Sequence, residues 1–392
     1  MLLESLWKSE KDELAVKHVQ AIVGLAGDGK LRDGNKASAE FCGFLTTIPS
    51  DMLAKYANEC LGSEKFPEAG CALQDVINEV GRRLGFKVQN GLYRGKINEI
   101  GNDGLWKSDD GSSIILETKT TDAYTINLDT LADYRKKLAA EKQIELEKSS
   151  ILIVVGRNET DSLEAQVRGS RHAWDIRLIS VEALLRLMSV KENLETPQAV
   201  QKIRHILRPK EYTKVDEIID LVFSAAKDVR EDENVQHEIE PEEGEKKMAP
   251  VNFREACIAR IQEQLDLLLI KRSAGLYSTT DEKSAVICLN SRKYDKGKYP
   301  GYWFGFHRHQ KETLESYKSG RVAFGCGSAE TILVIPIQDL VVWLNDLNTT
   351  EMDDRFYWHV QLREEKGKFM LRRKGGKSPV DVSKYLLTDK SA

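Results

Sequence analysis

The chain has 392 residues, is 41% hydrophobic and 31% charged, and carries a formal net charge of −4; these are the proportions of an ordinary globular protein of two or three domains, not of a disordered, collagenous or disulfide-dense chain. No apolar run approaches the roughly 18 to 20 residues that cross a bilayer, so no membrane span is expected, and the opening MLLESLWKSEKDEL turns charged too soon for a signal-peptide core. The six cysteines, Cys42, Cys60, Cys71, Cys257, Cys288 and Cys326, lie far apart with no CxxC pair and are expected to be reduced thiols of a cytoplasmic protein.

Residues 1–70 are expected to form a helical region. Apolar periodicity runs through ELAVKHVQAIVGLA and SAEFCGFLTTI, and Ser50 or Asp51 is placed to cap a third helix, MLAKYANECLG. GLAGDGK lacks the spacing of a phosphate loop and is assigned to a turn. Residues 71–227 change to alternating elements. ALQDVINEVGRRL is an amphipathic helix ended at Gly85, FKVQNGLYRG begins a strand, and INEIGNDGLW is a second extended stretch. DDG at 109–111 is a tight turn before a third strand, SSIILETKTT. A charged helix over about 129–148, the buried-type strand ILIVVG, the helix SLEAQVRGSRHA, the strand DIRLIS and the helix VEALLRLM complete an αβββαβαβα order. That order specifies an α/β mixed sheet flanked by helices. A helical stretch at 198–227 follows.

Residues 228–250 read as a linker: nine acidic and three basic residues fall between Asp228 and Lys247, too little apolar surface to offset the entropy of ordering. Residues 251–392 are expected to be a separate α+β domain. It opens with the helix NFREACIARIQEQLDLLLIK, continues through the β-rich runs AVICLNSR, YWFGFH, RVAFGCG and TILVIPI and the helix QDLVVWLNDL, and closes with a hairpin of RFYWHVQLR and KFMLRRK around 365–367. From Lys271 onward there are 21 basic and 15 acidic residues, so this half is positive although the whole chain is not. The small net charge therefore neither announces nor excludes a nucleic-acid partner.

The segment that carries chemistry is NDGLWKSDDGSSIILETKTTD. Glu117 and Lys119 sit two apart on one strand and so project from the same face, and an antiparallel hairpin brings Asp103 beside Glu117. Two adjacent carboxylates repel unless a divalent cation lies between them, and hard oxygen ligands suit Mg²⁺ or Mn²⁺. The Thr118 carbonyl would complete the metal shell, and Lys119 would help deprotonate the attacking water or neutralise charge on a scissile phosphate. The alternative is a solvated hairpin that happens to carry these residues. That suits Asp109 and Asp110 better than Glu117, which follows Ile114, Ile115 and Leu116.

D-x13-E-x-K on a hairpin, preceded by a helix and followed by a helix and a buried strand, resembles the PD-(D/E)XK nuclease superfamily over about residues 71–190, with Asn102 where that family often has proline. The resemblance implies a restriction-endonuclease-like core and a Mg²⁺-dependent endodeoxyribonuclease serving restriction or defence against foreign DNA. It further implies double-stranded DNA as substrate, a homodimer, and Glu79 as an added acidic group on the preceding helix. Gln166, Arg168 and Arg171, on the helix that borders the cleft in this fold, are candidate phosphate contacts, with a solvated basic stripe as the alternative. His172 is expected to be a packing or surface residue.

In GYWFGFHRHQKE, aromatics interleave with His307, Arg308 and His309, a composition that suits nucleic acid. For most of these rings the expectation is nevertheless a core strand with only basic tips, such as Arg308, exposed. His307 and His309 at HxH spacing would share a strand face, but no third metal ligand lies nearby. Arg372, Arg373 and Lys374 in LRRKGGK are the expected phosphate-contacting patch. Rival readings are a catalytically silent nucleic-acid-binding protein, and a nuclease gated by a C-terminal small-molecule or partner sensor.

Overall fold

The structure, a computed structural model, describes residues 2–62, 66–94, 99–120, 126–156, 160–193, 197–209, 250–294, 301–352 and 355–388. The chain divides into two compact units, Met1–Gln236 and His237–Ala392. Residues 1–70 thus share a unit with residues 71–227 and do not stand apart. The acidic stretch, but for Pro250, and the helix expected beyond residue 209 lie outside the described residues.

Unit 1 begins with helices α1 (Leu2–Ser9), α2 (Lys11–Val16), α3 (Val19–Leu25), α4 (Lys36–Leu45) and α5 (Ser50–Leu61), followed by α6 (Ala69–Arg83). The run ELAVKHVQAIVGLA does not form one helix; it breaks at Lys17 and His18, both extended. Helix N-termini leave amide N–H groups unpaired, and carboxylates from other helices take them here. Glu59 Oε2 accepts from Val19 N at 2.6 Å and Glu40 from Leu3 N at 3.1 Å; Glu40 also accepts from Gly27 N, just past the end of α3, at 3.0 Å. Pro49, not Ser50 or Asp51, is the N-cap of α5.

The αβββαβαβα order is present. Strands β1 (Lys87–Asn90), β2 (Gly104–Lys107), β3 (Ser113–Lys119), β4 (Ser149–Val155) and β5 (Ile176–Ser180) form a sheet in that order, antiparallel through β3 and parallel from β3 to β5. The intervening helices are α7 (Leu128–Ala140), α8 (Asp161–Arg168), α9 (Val181–Glu192) and α10 (Pro197–Ile206). Helix α7 stops short of residue 148 because the chain turns at Lys142, whose φ is 57°. Every residue of β4 is buried, as a parallel strand covered on both faces requires. One face of the sheet packs Leu105, Ile115, Ile151 and Ile153 against Leu128, Leu131 and Leu138 of α7 and Leu163 and Val167 of α8. The other meets α6, where the Trp106 ring lies so close over Gly81 that a Cβ there would sit 2.5 Å from it. Alanine favours helix over glycine by about 1 kcal/mol, yet Gly81→Ala is expected to cost roughly 1–3 kcal/mol in urea unfolding, because the buried indole must move. A stabilised variant would show that the ring yields freely.

Unit 2 is α+β. Helix α11 (Pro250–Leu265) precedes β6 (Ile270–Lys271), β7 (Leu276–Ser278), β8 (Ser284–Ser291) and β9 (Gly301–His307); α12 (Arg308–Glu315), β10 (Ser319–Cys326), β11 (Ile332–Pro336) and α13 (Ile337–Leu344) follow. The chain ends with β12 (Thr349–Met352), β13 (Arg355–Glu365), β14 (Lys368–Leu371) and β15 (Val380–Asp381). One sheet has the order β11-β10-β8-β7-β6, and the other β12-β13-β14-β15 with β9 also paired to β13. Between them Ile287, Val322, Phe324 and Ile335 meet Phe304, Phe306, Val360 and Leu362. Helix α11 covers the far face of the first sheet with Cys257, Ile258 and Ile261. The expected hairpin turns on Lys366 and Gly367 at φ 53° and 78°. The six cysteines are unpaired thiols. Among the described residues no helix is long and apolar enough to cross a membrane.

Candidate active site

Asp103 sits beside the end of β3: Gly104 pairs with Leu116, and Asp103 N, one residue before β2, donates to Leu116 O at 3.0 Å. The Asp103 carboxylate is near enough to Glu117 to feel that group's charge. Alternation turns Glu117 and Lys119 to the face that carries Ile115. Lys119 Nζ lies 2.5 Å from Glu117 Oε1. Asp103 Oδ2 accepts from Thr118 N at 2.6 Å. Thr118 N and Leu116 O thus both face the Asp103 edge of β3, and strand geometry sends the Thr118 carbonyl along that same edge.

Two residues of α6 that motif reasoning did not single out support this arrangement. Gln74 Nε2 and Asn78 Nδ2 donate to the Asp103 carbonyl at 3.0 and 2.9 Å, and Gly91 N donates to it at 3.0 Å. Asn78 Oδ1 also accepts from Trp106 Nε1 at 2.9 Å. A Cβ on Gly104 would lie 2.2 Å from Asn78 Oδ1, so glycine is needed for this approach. The signal was available: residues 74 and 78 are polar groups one turn apart on a helix face that must be buried.

Burial and the negative charge of Glu117 push the Asp103 carboxyl up to about 7, against the pull of the Thr118 amide and Lys119. Burial opposes the Lys119 charge, but Glu117 and Asp103 outweigh it and hold its pKa above the ordinary value, so it stays an ammonium and not a base. A carboxyl whose folded pKa is raised binds its proton more tightly folded than unfolded. It therefore contributes stability below the unfolded pKa that is lost as pH rises from about 4 to about 7. With chelator present, Asp103→Asn is expected to raise the melting temperature at pH 8 and leave it nearly unchanged at pH 4, a difference that differential scanning fluorimetry reads. Equal shifts at both pH values would remove the charge argument.

Glu79 has a different task from the one expected. Its oxygens are taken by Arg83 Nε at 2.9 Å and Arg82 Nη1 at 3.3 Å, and the carboxylate is buried. The acid of α6 that does lie beside β1 is Asp75, hydrogen-bonded by Tyr93 Oη at 2.5 Å and Asn90 Nδ2 at 3.2 Å. Burial raises it to about 7, although Tyr93, Cys42, Arg82 and Asn90 pull it down.

The expected phosphate contacts divide. Gln166 is consumed structurally: its amide accepts from Ile126 N at 3.0 Å and donates to Ile126 O at 2.6 Å. Arg168 faces solvent, while Leu163 and Val167 point inward. Arg171 is exposed and pairs with Asp129 at 2.7 Å, which also meets the buried His172 at 2.7 Å. A cleft beside the hairpin is lined mainly by neutral groups, among them Gln89, Asn102, Leu105 and Gln143, with Glu99 and Glu141.

In unit 2, Arg372 and Lys374 are exposed, whereas Arg373 is tied to Asp346 at 3.1 Å and to Ser378 O at 2.8 Å. Arg308 lies over the Phe356 ring at 4.5 Å. His307 and His309 do not share a strand face, because α12 begins between them. Among the described residues no group of three or more His, Cys, Asp or Glu side chains gathers to hold a metal. No protein-family model matches the chain, and a search of curated proteins finds no match.

Proposed function

We propose that unit 1 is a metal-dependent endonuclease that hydrolyses phosphodiester bonds in DNA, built on the restriction-endonuclease-like core of the PD-(D/E)XK superfamily and serving defence against foreign DNA. The observation that carries this reading is the Asp103 carboxylate on the amide of Thr118, the residue between Glu117 and Lys119, with Lys119 Nζ 2.5 Å from Glu117 Oε1. The five-stranded order, antiparallel then parallel, with helices on both sides supports the fold assignment.

The donor set fits Mg²⁺ or Mn²⁺. Two carboxylates and the Thr118 carbonyl are hard oxygens, and Mg²⁺ is commonly held by one or two carboxylates, with water and substrate phosphate filling its other positions. Burial, with the Glu117 charge beside it, raises Asp103 to about 7, and a divalent cation would relieve both. When bound, the ion supplies Lewis-acid polarisation of the phosphoryl group and a more acidic water.

The remaining work falls to the chain. The Thr118 amide holds Asp103 Oδ2 and so fixes the carboxylate plane, while Gln74, Asn78 and Gly91 fix the backbone beneath it. Lys119, held as a cation, neutralises charge that grows on the phosphate oxygens. Double-stranded DNA is the substrate, and a homodimer supplies one site per strand.

The full chain with supercoiled plasmid and Mg²⁺ is expected to yield nicked and linear forms, and excess EDTA to stop the reaction. Intact plasmid under both Mg²⁺ and Mn²⁺ would leave a catalytically silent nucleic-acid-binding protein.

A further inference from the structure

The β9–β13 sheet of unit 2 has a face turned away from its core. Along β9, Tyr302, Phe304 and Phe306 are buried, while Gly301, Trp303, Gly305 and His307 alternate to the other side. The register sets Tyr357, His359, Gln361 and Arg363 of β13 beside them, all half-buried. None of these positions carries an aliphatic side chain, and four carry rings.

The rings are held to one another. Trp303 Nε1 donates to His359 Nδ1 at 3.1 Å, and His359 Nε2 meets Thr350 Oγ1 at 2.7 Å, which makes His359 the neutral Nε2–H tautomer. Tyr357 stacks on His359 with centroids 5.2 Å apart, and Trp303 stands edge-on to Tyr357 at 6.1 Å. Gly305 lets two of the rings lie close over the strand: a Cβ there would be in van der Waals contact with Tyr357 at 3.4 Å and Trp303 at 3.6 Å.

Arg363 and Gln361 stand beside the rings of this face. Rings with an adjoining guanidinium and amide suit nucleobases, which stack on aromatics and are read at their edges by Arg and Gln. Bases inside a duplex have both faces covered by their neighbours, so bases that seat on these rings belong to an unpaired strand.

We propose that the outer face of β9 and β13 is a stacking platform for the bases of single-stranded DNA, with Trp303 and Tyr357 as stacking rings and Gln361 and Arg363 at the base edges. The choice of DNA rests on the nuclease reading; the platform itself does not. The test uses the full chain in EDTA, with fluorescence anisotropy of a labelled dT12 at low salt. Trp303→Leu and Tyr357→Leu, which keep apolar bulk without a ring, are expected to weaken binding roughly 5- to 150-fold, from the 1–3 kcal/mol that a stacked base contributes. Trp303→Phe should stay within a few-fold of wild type and so serve as the folding control. Because EDTA keeps the nuclease site idle, dT12 binding that persists when plasmid cleavage with Mg²⁺ fails would separate this surface from failure of the nuclease site. Absence of dT12 binding or leucine variants that bind undiminished would overturn the platform, and tighter binding of U12 RNA would overturn the choice of DNA.

Discussion

Lys119→Ala is expected to lower Mg²⁺-dependent cleavage by roughly 10²–10⁴-fold, the range for removing one electrostatic or proton-handling group from a transition state. The loss should fall on the chemical step, measured in single turnover with saturating protein, because the residue is held as an ammonium whose charge is worth most as the phosphate becomes more negative. Its pKa lies above the ordinary 10.5, so wild-type cleavage should show no alkaline limb from this residue below that pH. The substitution also leaves the neighbouring Glu117 and Asp103 charges without their cation. The metal-free variant should therefore melt below wild type at pH 8, and Mg²⁺ should restore more stability to it than to wild type. Equal cleavage by variant and wild type would end the hydrolase reading, since no other lysine or arginine is paired to this carboxylate pair among the described residues.

Much of this site was legible in the sequence, for a definite reason. Strand side chains have period two, so Glu117 and Lys119 share a face whatever the surroundings, and the DDG turn folds the chain back so that Asp103 reaches the Thr118 amide. The same period sorts YWFGFH into buried Tyr302, Phe304 and Phe306 and outward Trp303. The expectation that most of these rings are core holds for those three and misses Trp303, whose half-buried neighbours come from β13, far along the chain. Glu79 was misplaced for a related reason. A glutamate on a helix looks alike whether it faces metal, water or an arginine one turn away, and the groups that decide the matter lie some thirty residues upstream at 45–50. The break between α2 and α3 was hidden in the same way, since Glu59, which satisfies the new N-terminus, belongs to another helix.

Those upstream contacts make Arg83 a tie between α6, the end of α4 and the start of α5. It is 1% exposed. Its guanidinium binds Glu79 Oε1 at 2.9 Å, Ser50 Oγ at 3.0 Å, and the carbonyls of Leu45 and Ile48 at 3.3 and 2.7 Å; Ser50 in turn donates to Glu192 of α9. Arg83→Ala leaves the buried Glu79 carboxylate with only its 3.3 Å contact to Arg82, and takes the guanidinium donor from two carbonyls. The expected loss is roughly 3–5 kcal/mol, a fall in melting temperature of roughly 6–20 °C for a unit of this size. Glu79→Gln separates this role from catalysis: a metal ligand would lose Mg²⁺ affinity at little cost in stability. Here Glu79 neutralises Arg83, so the variant should melt well below wild type, while its folded fraction at low temperature cleaves with an unchanged Mg²⁺ dependence. A rightward shift of the Mg²⁺ titration at constant melting temperature would return Glu79 to the active site.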